Sequence, residues 1–199
     1  MNSIKIKKLD QCQKLVEHYH SKFPDIPTLT SLAYLEREIA NDEASEKPKR
    51  YLLVDVRSEA EMAVSMIPGS ITLNELESKM KSNPKEVNSS FTVVTYCTIG
   101  YRSGLEARRL KKEFNLNGRI ANLDGIVSYT HACSCSDREG ANLVDPVTKQ
   151  TTKEVHVFGE KWDCTDESFR SVFFSKPAGI WESVRVGFLA IGDVVRGRT

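Results

Sequence analysis

The chain has 199 residues, of which 40% are hydrophobic and 28% are charged, and its formal net charge at pH 7 is +1. This length suits one well-cored domain with extensions rather than two full domains, and the composition is that of an ordinary globular protein. A charge so close to zero argues against nucleic acid or an anionic membrane as a partner, and no apolar run approaches the ~20 residues that span a bilayer.

Two helices are predicted before the first long strand. Apolar residues at steps of three and four form one stripe on the first helix: Leu9, Cys12, Val16, Tyr19 and Phe23. The proline-containing segment FPDIP (23–27) ends that helix, so residues 1–27 are predicted to be an N-terminal helical extension. Thr30 or Ser31 can cap the second helix, whose buried side is expected to contain Leu32, Leu35 and Ile39.

Strands and helices alternate through the middle of the chain. Three short apolar runs are predicted to be buried strands: YLLVDV (51–56), FTVVTY (91–96) and RIANL (119–123). Between the first two, Asn74 and Glu77 are expected to cap a short helix. A longer helix after the second run is expected to end at the Asn117-Gly118 pair, its buried side chains being Ala107, Leu110 and Phe114. The alternation predicts an α/β fold with an open parallel sheet.

Residues 136–199 are predicted to be a C-terminal extension packed on the domain. Their first part is polar and rich in turns, with one short strand expected at VHVF (155–158). Near the end, apolar residues again recur at steps of three and four: Trp181, Val184, Phe188, Ile191 and Val195. Such a helical stripe needs burial, so we expect it to dock on the rest of the chain, with a second copy of the chain as the alternative.

Five cysteines are present, an odd number, in a chain whose first residues lack the apolar core of a secretory signal. This usage indicates reduced thiols in a reducing compartment, so we expect a cytoplasmic protein. Most of the five are expected to be buried structural thiols, and at least one is a candidate for reactivity.

The stretch YCTIGYRS (96–103) joins a predicted buried strand to a predicted helix. Ligand sites of open α/β sheets lie outside the carboxyl ends of the strands, where Cys97 is expected. The helix N-terminus and Arg102 both favour a thiolate, and Gly100 tolerates the positive φ that a tight anion cradle needs. From this spacing alone, a nucleophile in an anion cradle and a half-buried structural cysteine are equally supported.

Motifs in order along the chain resemble the rhodanese family of sulfurtransferases over roughly residues 28–132. The family's Asp-Val-Arg…Glu segment is matched by Asp55, Val56, Arg57 and Glu61. Its active loop, Cys-x-x-Gly-x-Arg-Ser, is matched by Cys97, Gly100, Arg102 and Ser103. An Ile-Pro-Gly turn at residues 67–70 and a Leu-x-Gly segment at 123–126 complete the resemblance. It implies a rhodanese-like domain at residues 28–135, an open parallel sheet flanked by helices on both faces.

Three positions depart from the family pattern. Met66 stands where the family usually has His, Thr98 stands where many members have Arg or Lys, and Gly125 is left alone of a glycine pair. The mouth of the pocket is therefore expected to be less basic, with Asp124 near it. This difference argues against thiosulfate as the physiological donor.

The resemblance implies an enzyme that passes a sulfane sulfur from a donor to a thiophilic acceptor through a persulfide on Cys97. The donor would be thiosulfate or another small sulfur compound, and the acceptor cyanide, a small thiol or a protein thiol. The residues that would bind the persulfide are Thr98, Ile99, Gly100, Tyr101, Arg102 and Ser103. Arg57 and Glu61, four apart, are expected to form a structural ion pair, and Asp55 to position the loop backbone. No cofactor or metal is implied, and we expect a monomer or a homodimer.

Three alternatives stay open. One is a rhodanese-fold binding or regulatory module whose cysteine is incidental. A cysteine-dependent phosphatase or arsenate reductase is disfavoured, because those loops place five residues between Cys and Arg and this one places four, residues 98–101. The third is a zinc site, whose candidate ligands are His131, Cys133, Cys135, His156 and Cys164. It lacks a Cys-x-x-Cys pair, so a resolving thiol at Cys133 or Cys135 is favoured over zinc, and two thiols with no role over both.

Overall fold

The structure of this protein, a computed structural model, describes residues 3–43, 51–83, 91–135 and 141–174. Five strands lie at its centre: β1 (Thr28–Leu29), β2 (Tyr51–Asp55), β3 (Ile71–Thr72), β4 (Thr92–Tyr96) and β5 (Ile120–Leu123). They form one sheet in the order β1-β5-β4-β2-β3, and every neighbouring pair is parallel. The predicted open parallel sheet is confirmed, with β4 at its middle.

Helices cover both faces of this sheet. They are α1 (Ser3–His20), α2 (Ser31–Glu43), α3 (Glu59–Val64), α4 (Leu73–Ser82), α5 (Tyr101–Glu113) and α6 (Ile126–Cys135). Successive side chains of β4 point to opposite faces, so Val93 joins the apolar cluster that contains Leu76 and Leu110, whereas Val94 joins the one that contains Leu35 and Val127. Within the described ranges, no helix combines the length and apolar character required to cross a bilayer.

The buried side of α2 differs from the prediction. The buried side chains in its first turns are Ser31, Tyr34 and Leu35, whereas Leu32 is 48% exposed. A helix buries positions three and four apart, and the stripe that begins at Ser31 leaves Leu32 about 100° away from it, facing solvent. Thr30 is the cap, because its hydroxyl accepts a hydrogen bond from the Ala33 N–H at 3.2 Å. The side chain of Ile39 lies outside the described residues.

The cap predicted for α4, Asn74 with Glu77, is wrong. The capping residues are Thr72 and Glu75, two positions earlier. The Thr72 N–H donates to Glu75 Oε2 at 2.7 Å, and the Glu75 N–H donates to Thr72 Oγ1 at 3.2 Å, so each satisfies a backbone group of the other. Because β3 ends at Thr72, the chain leaves the sheet directly into the helix.

The end predicted for α5 lies too far along the chain. The helix ends at Glu113, because Asn115 already takes a left-handed φ of 53°, before the pair at 117–118 is reached. Ala107 and Leu110 are buried as predicted, and Phe114 is half-buried. The apolar face of α5 therefore covers the sheet as expected, and only its length differs.

Residues 141–174 run along the domain and contact it at several points. Their strands are β6 (Leu143–Val144), β7 (Thr151–Thr152), β8 (Glu154–His156) and β9 (Arg170–Val172), with β6 paired to β7 and β8 to β9. Val144 exchanges two backbone hydrogen bonds with Met66, and the Asp166 N–H donates to Thr130 Oγ1 at 3.1 Å. β8 overlaps the strand predicted at 155–158. The terminal stripe predicted from Trp181 onward lies outside the described residues.

Candidate active site

Cys97 lies at the carboxyl end of β4, in a short loop that leads into α5, and is 2% exposed. The Gly100 N–H donates to its Sγ at 3.2 Å, and the Ser103 hydroxyl donates to the same atom at 3.4 Å. Two donors aimed at one sulfur stabilise negative charge on it. The loop therefore has the local geometry of an anion cradle around the predicted nucleophile.

The backbone of the loop is held from behind by the start of α6. The Ile126 N–H donates to the Cys97 carbonyl at 2.9 Å. The Val127 N–H donates to the Thr98 carbonyl at 3.2 Å. In a trans peptide the C=O and the following N–H point in opposite directions, so the N–H groups that follow these carbonyls point away from α6. The N–H groups of Thr98 and Ile99 therefore face the side of the loop opposite to α6.

Two glycines allow other parts of the chain to approach the loop. A side chain on Gly125 (φ 105°) would place its Cβ 2.5 Å from the Thr98 carbonyl oxygen, far inside van der Waals contact. A side chain on Gly100 (φ 92°) would meet His20 Nε2 at 2.3 Å, and the Asn122 amide donates to the Gly100 carbonyl at 2.7 Å. Gly100 thus has the positive φ that the sequence predicts. Nothing in the sequence indicates that His20 lies against Gly100.

Arg102, in the first turn of α5, is held by Glu61 of α3. Its Nη1 and Nη2 atoms donate to Glu61 Oε2 and Oε1, each at 2.7 Å. Nη2 also lies 3.3 Å from Thr98 Oγ1, and the guanidinium carbon stands 5.9 Å from the centre of the Phe158 ring. Burial alone would raise the pKa of Glu61, but hydrogen bonds from Arg102 and His156 outweigh it and hold that pKa far below its ordinary value.

The predicted ion pair between Arg57 and Glu61 is wrong. Arg57 pairs with Asp55, Nη2 to Oδ2 at 2.7 Å and Nε to Oδ1 at 3.0 Å, and both side chains are fully buried. Burial would lower the pKa of Arg57, but the Asp55 carboxylate outweighs it and raises that pKa above its ordinary value. Arg57 also donates to the Ser65 carbonyl at 2.6 Å. Asp55 and Arg57 therefore brace the turn between β2 and α3 rather than the backbone of the Cys97 loop.

A comparison with protein families matches residues 32–130 to the rhodanese-like domain. Residues 32–130 form a rhodanese-like domain. Among solved structures, a thiosulfate sulfurtransferase from Pseudomonas aeruginosa is similar with 21% identity and a TM-score of 0.46, over 71% of this chain and 23% of that one. The BH2092 protein from Bacillus halodurans is similar with 21% identity and a TM-score of 0.34, over 57% of this chain and 75% of that one. The chain thus spans less than a quarter of the Pseudomonas aeruginosa protein, and no curated protein matches its sequence.

His156, on β8, follows the rhodanese-like domain in the chain. Its side chain contacts Glu61, the partner of Arg102. Its Nδ1 stands 3.1 Å from Glu61 Oε1, its side chain is buried, and its ring stacks on that of Phe174 with centroids 4.1 Å apart. The sequence suggests His156 only as a zinc ligand. The sequence does place His156 between apolar residues of a predicted strand. A histidine buried there needs a hydrogen-bonding partner, and this position could have indicated a contact with another ionisable group.

The thiols of Cys133 and Cys135 lie away from the Cys97 loop of the rhodanese-like domain. They follow Ile126, which contacts the loop, by roughly 10 and 14 Å along the axis of α6. Burial raises the pKa of Cys133 to about 12, so this thiol is a poor nucleophile near neutral pH. His131 bonds the Cys164 carbonyl through Nε2 at 2.7 Å, and across the described ranges no three His, Cys, Asp or Glu side chains gather to hold a metal ion.

Asp124 is committed to a structural contact rather than to the mouth of the site. Its buried carboxylate accepts hydrogen bonds from the N–H of Ser31, at 3.0 Å, and from the Ser31 hydroxyl. Burial raises the pKa of Asp124 to about 6, and the hydrogen bonds from Ser31 act in the opposite sense. The residue thus ties β5 to the start of α2.

Proposed function

We propose that this protein is a sulfurtransferase that passes a sulfane sulfur from a small donor to a thiophilic acceptor through a persulfide on Cys97. The observation that carries the proposal is the pair of donors, the Gly100 N–H and the Ser103 hydroxyl, that point at Cys97 Sγ. Cys97 Sγ bears negative charge as the thiolate that attacks the donor and again when the transferred sulfur has left, and such donors stabilise that charge. The cytoplasm, a reducing compartment, stays the predicted location.

The reaction divides one displacement into two. In the first step the Cys97 thiolate attacks the outer sulfur of the donor. A new S–S bond forms, and the electron pair of the donor's broken bond leaves with its remainder, which is sulfite when the donor is thiosulfate. In the second step, cyanide or a small or protein thiolate attacks the terminal sulfur, and the electron pair of the S–S bond returns to Cys97. Donors from residues 98–103 hold the anion between the two steps.

Sulfur transfer to cyanide from thiosulfate and from an organic thiosulfonate tests this proposal, with thiocyanate as the measured product. We expect Cys97→Ser to lower the rate by about 1,000-fold or more, because the nucleophile is lost. Cys135→Ser is the matched control, since its exposed thiol lies at the far end of α6, and it should keep the wild-type rate. Mass spectrometry should find one added sulfur atom on the Cys97 peptide of wild type. A Cys97→Ser variant that keeps most of a measurable rate contradicts the proposal.

A second candidate function is a binding or regulatory module that does not use the thiol. The closure of the site favours it, because Cys97 is 2% exposed and both carboxylate oxygens of Glu61 hold Arg102. Under this candidate, wild type would take no sulfur from either donor, and iodoacetamide would modify Cys135 while leaving Cys97 intact. Sulfur found on Cys97 after incubation with a donor contradicts it.

A further inference from the structure

Glu61 joins three segments of the chain around one buried carboxylate. Its Oε2 atom accepts hydrogen bonds from Arg102 Nη1 at 2.7 Å and from the N–H and hydroxyl of Ser58 at 3.1 and 3.0 Å. Its Oε1 atom accepts from Arg102 Nη2 at 2.7 Å and lies 3.1 Å from His156 Nδ1. A carboxylate that is only 2% exposed needs such partners, because an unpaired buried charge is strongly destabilising.

The imidazole of His156 is fixed by its surroundings. β8 pairs with β9 and packs against α3, and the neighbouring side chains of Val155 and Val157 are fully buried. The ring lies against that of Phe174, with 27° between the two planes. These contacts hold the ring so that Nδ1 points at Glu61. A residue that orients an active-site group needs a side chain fixed in this way.

The proton between His156 and Glu61 belongs to the imidazole. Although burial alone would raise the pKa of Glu61, its partners hold that pKa far below its ordinary value, so the carboxylate is ionised and only accepts. Nδ1 therefore carries a hydrogen, whether the ring is neutral or charged. In either form, the hydrogen bond from His156 draws part of the carboxylate's negative charge to itself, so that Glu61 cancels less of the positive charge of Arg102.

We propose that His156 is a positioning residue of the sulfur-transfer site, which favours anionic donors at Cys97 by acting through Glu61 and Arg102. This inference rests on the proposed function. Arg102 Nη2 stands 3.3 Å from Thr98 Oγ1, so its charge lies beside the loop that holds the sulfur. An anionic donor carries its charge before and during the reaction, so the effect appears in KM more than in kcat. The C-terminal extension thereby supplies part of the active site to the rhodanese-like domain.

Alkylation of Cys97 by iodoacetate and by iodoacetamide tests the proposal without requiring turnover. The two reagents are similar in size and differ in charge, so the ratio of their rates at the Cys97 peptide reports the electrostatic potential at the sulfur. We expect His156→Leu, which removes the donor, to lower the iodoacetate-to-iodoacetamide ratio by about threefold to tenfold. His156→Asn should restore most of the ratio, because its amide N–H₂ can stand where Nδ1 stood.

His131→Asn is the matched control, since His131 is equally buried but bonds the Cys164 carbonyl instead of Glu61, and its ratio should equal that of wild type. With thiosulfate, His156→Leu should raise KM by the same factor and change kcat by less than about twofold. A ratio that His156→Leu leaves unchanged overturns the proposal even when wild type transfers sulfur. A wild type that transfers no sulfur but shows the expected ratios overturns the proposed sulfur transfer and supports only the electrostatic part of this proposal, the effect of His156 on anions at Cys97.

Discussion

The two sides of the Cys97 loop are held by different kinds of contact. On the side of β5 and α6 the contacts are made by uncharged groups: the N–H groups of Ile126 and Val127 and the side-chain amide of Asn122 donate to loop carbonyls. Gly125 lies so close to the loop that a side chain would not fit there. On the side of α3 and β8 the contacts are made by ionisable side chains centred on Glu61. Substitutions on the first side should therefore act through steric fit, and substitutions on the second side through charge.

The largest effect is expected on the charged side. Glu61→Gln keeps the size of the side chain, but its amide N–H₂ would face a guanidinium N–H and would leave Arg102 without the counter-charge of Glu61. We expect the free energy of unfolding, measured by urea denaturation, to fall by about 3–5 kcal/mol. Glu77→Gln is the matched control, because Glu77 binds Arg109 in a more exposed pair that contributes about 0–1 kcal/mol. Equal losses in the two variants would show that burial does not strengthen the dependence on charge.

A smaller effect is expected from steric fit, on the side of β5 and α6. In Gly125→Ala the new methyl group would lie 2.5 Å from the Thr98 carbonyl oxygen at a φ of 105°, so we expect a loss of about 2–4 kcal/mol together with lower reactivity of Cys97. The loss in Gly125→Ala has two causes, the close approach of the loop and the left-handed backbone. Gly118→Ala measures the second alone, because Gly118 has a φ of 72° and no atom of the described residues within 4 Å of its Cβ position. It should lose about 1–2 kcal/mol. If both variants unfold at the same urea concentration, close approach is not the reason for glycine at position 125.

Each side of the loop has one carboxylate with a shifted pKa, which is lowered for Glu61 and raised for Asp124. Burial opposes the shift of Glu61, but its hydrogen bonds lower the pKa, so its stabilising contribution is complete above the unfolded-state pKa of about 4 and is lost as the pH falls further. Burial raises the pKa of Asp124 from 3.8 to about 6. The contribution of Asp124 is therefore complete below about pH 4 and is lost as the pH rises through about 6.

The smallest predicted effect follows from these signs. Between about pH 4 and about pH 7, Asp124→Asn should reduce the decline in the free energy of unfolding by about 1–3 kcal/mol, because the amide does not ionise. Glu61→Gln should leave that decline in place, since Glu61 is ionised throughout this range. Urea denaturation at both pH values checks the prediction. If the free energy of unfolding of Asp124→Asn declines over this pH range as much as that of wild type, the buried carboxylate of Asp124 is not the source of the decline.

The residues around the sulfur could be predicted because they are close in sequence. FTVVTY carries no charge and consists of aromatic and β-branched residues, which suits a central parallel strand covered on both faces, and β4 is that strand. Cys97, Gly100 and Ser103 follow it within seven residues, so one turn of chain brings both donors to the sulfur. Such contacts depend on local backbone conformation, which the residue types indicate.

The ion pairs could not be predicted in the same way. The rule that residues four apart pair holds inside a helix, but α3 begins at Glu59, so Arg57 precedes it and turns back to Asp55. The stripe of α2 shows the same limit, because only the packing partners decide that Leu32 faces solvent.

By itself the sequence determined the parallel sheet, the position of Cys97 at the end of β4 and the left-handed turn at Gly100, because apolar runs, helix starts and glycine act over a few residues. The tertiary structure alone decided which charges meet at Glu61. Glu61 lies 41 residues from Arg102 and 95 from His156, and no periodicity or spacing marks contacts of that range. A buried charge takes the partner that the fold brings within hydrogen-bonding distance, since it has no water to bind instead.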